Sequence, residues 1–148
     1  AAPPWAVVLA VAAEAALLVS DAEFAQQVRD YPRAEKNLTQ ALKLRADVPE
    51  WWLALGQVQK QLSATGEART AYKKALAIYE RRYDLTKAPG EVMTQSLVLV
   101  LLHRDDEAKA LLERVKKKHP EVEVLQQTNP ATLVERMIAD PNVQQRRL

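Results

Sequence analysis

The chain matches itself at a shift of 34 residues, and few folds are compatible with that. Ala34, Leu38 and Ala41 recur as Ala68, Tyr72 and Ala75, and then, forty residues further on, as Ala108, Leu112 and Val115. Residues 83–88 account for the six additional positions. The match extends upstream, where Leu18, Trp52 and Val92 correspond, as do the small residues Ala22, Gly56 and Ser96. The apolar sets Phe24, Val58, Val98 and Val28, Leu62, Leu102 keep the same register. A period of this length marks stacked supersecondary units. Each unit reads as a helix with a small residue midway, a tight turn, and a second helix with small residues seven apart. Small side chains at Gly56 and Ala68 let two antiparallel helices approach closely, while Trp52, Leu55 and Tyr72 fill the space around that contact. One such pair cannot bury its apolar face alone, so neighbouring pairs have to stack into a continuous core.

Composition supports helices throughout. Only three glycines occur in 148 residues, and Asn-Gly and Asp-Gly turn pairs are absent. Ala, Leu, Glu, Lys, Arg and Gln dominate, and all six are good helix formers. No stretch alternates apolar and polar residues long enough to require a strand. Pro49 and Pro89 sit where a first helix should open, a favourable place because the missing N–H would be unbonded there anyway. Thr65-Gly66-Glu67 separates the two helices of the second unit, and Ala88-Pro89-Gly90 separates the second unit from the third.

With these residues in place, the stretch 49–82 resembles a tetratricopeptide repeat of the kind found in bacterial proteins. It supplies Trp52, Leu55, Gly56, Ala68, Tyr72 and Ala75 at that family's spacings, with Gln59 in place of an aromatic residue. The turn Arg29-Asp30-Tyr31-Pro32-Arg33-Ala34 is similar to the family's Gly-Asp-Tyr-x-x-Ala, with Arg in place of Gly, and Pro120 stands where a third repeat should end. Asp21 and Gln95 replace an expected leucine in the outer repeats. The resemblance implies an all-α fold: an α-α superhelix of about three helix-turn-helix repeats with additional N- and C-terminal helices. We place one domain over 1–148. It comprises the start of an apolar helix at 1–14, repeats at 15–48, 49–82 and 89–122 with an insertion at 83–88, and a capping segment at 123–148.

The resemblance also implies a function, that of a protein–protein interaction scaffold or adaptor. The concave groove of such a repeat array would be lined here by Leu53, Gln57, Lys60, Met93 and Leu97, with Val100 and Leu101 on the same apolar helix. Some family members hold an acidic peptide terminus in a clamp of Lys, Asn and Arg. The corresponding positions here are Val19, Glu23, Leu53, Gln57, Met93 and Leu97, so that clamp is missing. The groove chemistry suits an apolar or amphipathic protein segment. A structural alternative is oligomerisation, with the apolar N-terminal helix packing on a second copy of the chain.

Two stretches depart from a plain array. Tyr72, Leu76, Tyr79 and Tyr83 form a stripe at helical spacing, so the second helix of the middle repeat should run on to about Leu85. We read the stripe as core in preference to an aromatic docking ridge. Leu97 to Leu102 is apolar all round. It needs a cover from the N-terminal helix, the C-terminal segment, a second copy or a partner, because an open patch of that kind is an interaction site or an aggregation hazard.

At the N-terminus, residues 5–19 are apolar apart from Glu14, and no lysine or arginine precedes Arg29. A membrane span needs about 20 apolar residues. This run is shorter and lacks a basic flank, so a buried helix is expected, with a membrane-tethered assembly factor, anchored through residues 5–19, as the alternative. In the tail, Asn129-Pro130 should start one amphipathic helix carrying Leu133, Val134, Met137 and Ile138, which Asp140-Pro141 should end. Residues 144–148 are expected to fray.

Chemistry is sparse. The chain has no cysteine and a net charge of only +2. His103 and His119 lie 16 residues apart, far from the i, i+4 spacing of a helical metal pair, and read as residues at helix ends. Asp105, Asp106 and Glu107 at one end of a helix, and Lys116, Lys117 and Lys118 at the other, match the helix dipole. No phosphate loop, nucleophile–base pair, metal set or cofactor motif can be assembled, and no dense basic stripe suggests nucleic acid. We therefore expect neither an enzyme nor a cofactor. Compartment stays open between cytoplasm and periplasm.

Overall fold

The computed structural model describes all 148 residues and contains helices, turns and loops but no strand. Nine α-helices follow one another: α1 Pro4–Gln27, α2 Tyr31–Leu44, α3 Pro49–Gln61, α4 Thr65–Thr86, α5 Val92–Leu101, α6 Asp105–Lys118, α7 Glu123–Gln127, α8 Pro130–Ala139 and α9 Pro141–Arg146. A short 3-10 turn, Pro89–Glu91, leads into α5. Pro49 opens α3 as expected, whereas Pro89 opens only the 3-10 turn and α5 begins at Val92. The tail holds three short helices where one was expected, because Asp140 ends α8 and its side chain then caps α9 through the Asn142 amide. The chain, read above as one domain, packs as two compact units, residues 1–75 and 76–148, and the division falls inside α4.

The three tight turns are built alike, and they keep the spacing of the sequence match. Arg29, Ser63 and His103 adopt left-handed conformations, with φ of 61°, 60° and 58°. The next residue in each case donates its N–H back to the carbonyl five residues earlier: Asp30 to Ala25 at 2.7 Å, Ala64 to Gln59 at 2.8 Å and Arg104 to Leu99 at 2.8 Å. This closure satisfies carbonyls that a helix end leaves open. A second helix then starts at Tyr31, Thr65 or Asp105.

Three sets of matching register positions are buried in every unit of the repeat, although Phe24 and Val28 of the first are exposed. Ala34, Ala68 and Ala108 are 0% exposed. Leu38, Tyr72 and Leu112 are buried, as are Ala41, Ala75 and Val115. Each large side chain of this kind contributes about 1.5–3 kcal/mol by leaving water. The close approach read from Gly56 is real: a Cβ placed there would lie 2.5 Å from the Tyr72 ring and 3.2 Å from the Ala68 carbonyl oxygen. The indole of Trp52 lies beside this contact, donating to the Ala46 carbonyl at 2.9 Å and stacking under the Lys74 ammonium at 4.9 Å.

In the first unit, α1 packs on α2 through Ala22 and Ala25 against Ala34, Leu38 and Leu42, joined by Leu55, Val58 and Ala71 of the second hairpin. Asp21 sits at the position where Leu55 is buried in α3, and the structure shows why a carboxylate is accepted there. It takes hydrogen bonds from Arg33 and Asn37 of α2, the Arg33 Nε at 2.9 Å. These bonds, the Arg33 one first, hold the Asp21 carboxyl below the usual carboxylate range against the opposing effect of desolvation.

In the second unit, the lower half of α4, with α5 and α6, forms the third hairpin. Leu76 and Tyr79 are buried, and the Tyr83 hydroxyl meets His119 Nε2 at 3.1 Å with the rings edge to face. The stripe on α4 is therefore core through Tyr79, with Tyr83 half-buried at its edge, and α4 ends at Thr86, one residue past the expected limit. His119 caps the C-terminus of α6 and bonds Glu121 through Nδ1 at 2.8 Å. The acidic and basic triplets lie in the first and last turns of α6.

The tail does not fray. Leu148 donates its amide to the Leu101 carbonyl at 3.0 Å, and its carbonyl meets the His103 ring. Arg147 reaches both His103 Nδ1 and Asp105 Oδ2, the latter at 2.9 Å. The last residues are thus pinned on the α5–α6 turn, 42 residues away in sequence from Asp105.

Candidate protein-docking surfaces

The seven groove residues expected from the repeat register fall into different environments. In the first unit, Leu53 is buried, so it offers no docking surface, while Gln57 and Lys60 on the same helix are half-exposed. The open surface next to Gln57 is a shallow cleft lined by Glu23, Gln26 and Gln27 of α1. Its chemistry is amide and carboxylate, not apolar. Each of its amides can both donate and accept a hydrogen bond.

In the second unit, Met93 and Leu97 are half-exposed on α5. Val100 and Leu101 are 0% exposed and are no docking residues. Helix α8 packs on α5 and α6 through Leu133 and Val134, and the final residue bonds Leu101 itself. The cover that the apolar run needed thus comes from the C-terminal segment. The sequence could name that segment as a candidate but could not choose it.

A second concavity in this unit was not foreseen. It lies between α4, α5 and α6, encloses about 400 Å³ and is lined by Glu80, Tyr83, Asp84, Lys87, Arg104 and Arg114 among others. Its signs are mixed. Arg104 is tied to Glu107 at 2.7 Å, which holds the Glu107 carboxyl low and the guanidinium firmly charged. With cations and anions interleaved, no ligand of one charge is selected, and the cleft is best read as the wetted back of the third hairpin. Its charged lining residues, Glu80, Asp84, Lys87, Arg104 and Arg114, are not among the matched positions, so periodicity could not reveal its chemistry.

The N-terminal helix differs most from expectation. It was read as buried, yet Trp5, Val7, Val8 and Leu9 are 54–67% exposed and Leu17 is 72% exposed. Only Ala15, Ala22 and Ala25 are buried in all of α1. The reason is geometric: α2 stops at Leu44, and the first ten residues of α1 find no neighbour beyond it except Leu44 and Arg45, which line a shallow cleft with Val7, Val8, Val11 and Ala12. By length and composition α1 qualifies as a membrane-crossing helix. No group of His, Asp and Glu side chains is placed to hold a metal ion.

Comparison with known proteins adds no identity to these surfaces: no family model matches the chain, and no curated protein matches it in sequence.

Proposed function

We propose that this chain is a tetratricopeptide-type scaffold whose helical hairpins present a surface to a protein segment. The observation that carries the reading is the threefold recurrence, at shifts of 34 and then 40 residues, of one turn geometry with the same buried small residues around it. Hairpins of this design stack into superhelices whose exposed inner helices are free to vary in chemistry, which suits holding rather than transforming a ligand. Each unit offers its own half-buried residues of the expected groove. In the first unit Gln57 and Lys60, with Gln26 and Gln27, offer hydrogen bonds to an extended or helical segment, and in the second Met93 and Leu97 offer apolar contact.

The test is a partner recovered by cross-linking of the intact chain, followed by calorimetric titration of that partner. Leu97→Glu should weaken binding at least about tenfold, or about 1.4 kcal/mol, with helix content unchanged. Gln57→Ala should weaken it less. Equal affinity of wild type and both variants would remove these residues from the site and the groove reading with them.

A further inference from the structure

The first half of α1 carries a different kind of surface, and it stands independently of the scaffold reading. Successive helix residues point about 100° apart, so exposed apolar side chains at Trp5, Val7, Val8 and Leu9 surround the helix instead of forming a stripe. A groove on another protein, or a second copy of α1, would take one stripe and leave the others in water. A helix that is apolar on every side is matched by an apolar surrounding on every side. From Pro4 to Glu14 the helix rises about 15 Å at 1.5 Å per residue, half of a hydrocarbon core of about 30 Å. Glu14 is the first ionisable side chain, and it is exposed. Arg45, paired with Asp47 at 3.3 Å, lines a shallow cleft with Val7, Val8, Val11 and Ala12 on one side of this segment. Between Pro4 and Ala13 the helix itself carries no ionisable side chain.

We propose that residues 4–13 of α1 insert into the acyl region of a lipid bilayer, with Glu14, Arg45 and Asp47 toward the headgroups and the first unit held against the membrane. The occupant is acyl chain because α1 has the length and composition of a membrane-crossing helix and its exposed apolar side chains lie on several sides of it.

The chain has no cysteine, so single thiols report cleanly. Val8→Cys, labelled with an environment-sensitive fluorophore, is mixed as full-length protein with phosphatidylcholine vesicles, half of them brominated at mid-chain. Lys117→Cys serves as the control on an exposed face. The Val8 probe should shift to the blue on adding vesicles and be quenched by bromine, while the Lys117 probe does neither. Leu9→Asp should lower vesicle partitioning on the order of 100-fold with unchanged circular dichroism, since Leu9 touches little of the fold. A Val8 probe that stays water-like with vesicles overturns the proposal. So does one that is already blue-shifted without lipid while the protein sediments as a dimer, which would assign the surface to a second copy.

Discussion

Helix α5 and the first half of α1 look alike in composition and have opposite fates. Both are apolar around most of their circumference. In α5, Val92, Val98, Leu99, Val100 and Leu101 are all buried, because α6 lies on one side and α8 and the final residues close another. In α1 the residues before Ala15 have only the end of α2 beside them. The difference teaches that an all-round apolar helix states a demand for cover without stating its source. Chain following α5 returns to it, and no element of this chain reaches α1 before Val7.

The comparison can be broken first at Leu101. Truncation to Ala should cost about 2–5 kcal/mol, read as a shift in the denaturant midpoint. A loss below about 1 kcal/mol would mean that the C-terminal cover is loose and that α5 resembles α1 after all.

Next comes Ser96, the counterpart of Ala22 in the first hairpin. Its hydroxyl is 0% exposed and has no hydrogen-bond partner. Ser96→Ala should therefore stabilise the second unit by about 1 kcal/mol, and a destabilised variant would show that the hydroxyl is satisfied after all.

A smaller effect, seen as pH dependence, belongs to the well-packed half of α1. The Asp21 carboxyl is held low by Arg33. Its stabilising contribution is therefore complete above the ordinary carboxylate value and is lost as pH falls through its lowered value. Asp21→Asn should flatten that part of the acid limb in an unfolding series, and an unchanged limb would mean solvent screens the pair completely.

The smallest effect marks the bare end. Leu9→Ala should change stability by no more than about 0.5 kcal/mol, since the side chain is 61% exposed. A larger loss would reveal a cover on α1 within the chain itself.

What was legible in the sequence follows the same division. The hairpin register could be read because small residues at Ala22, Gly56 and Ser96 and at Ala34, Ala68 and Ala108 are demanded by helix contacts at fixed spacing, and every one of them is buried. The continuation of α4 was legible for the same reason, through Tyr79 and Tyr83. Pairings far apart in sequence left no periodic trace. Arg147 on Asp105 and Leu148 on Leu101 come from a segment expected to fray, and they turn Val100 and Leu101 from candidate docking residues into core. Burial of α1 was misjudged because apolarity measures preference for a nonaqueous surrounding, and a protein interior is only one such surrounding. Asp21 was read only as replacing an expected leucine, whereas it accepts hydrogen bonds from Arg33 and Asn37 in a polar clasp.

The three left-handed turn residues carry a consequence for tuning the molecule. Arg29, Ser63 and His103 each hold a side chain in a backbone basin that glycine occupies at no steric cost. His103 recovers something through its ring, which binds the tail, but Ser63 makes no such return contact that offsets its strain. The chain therefore keeps an unused margin of robustness at its bends: glycine at position 63 would relieve strain in the middle hairpin without altering a single residue on the faces proposed to meet a partner or a lipid.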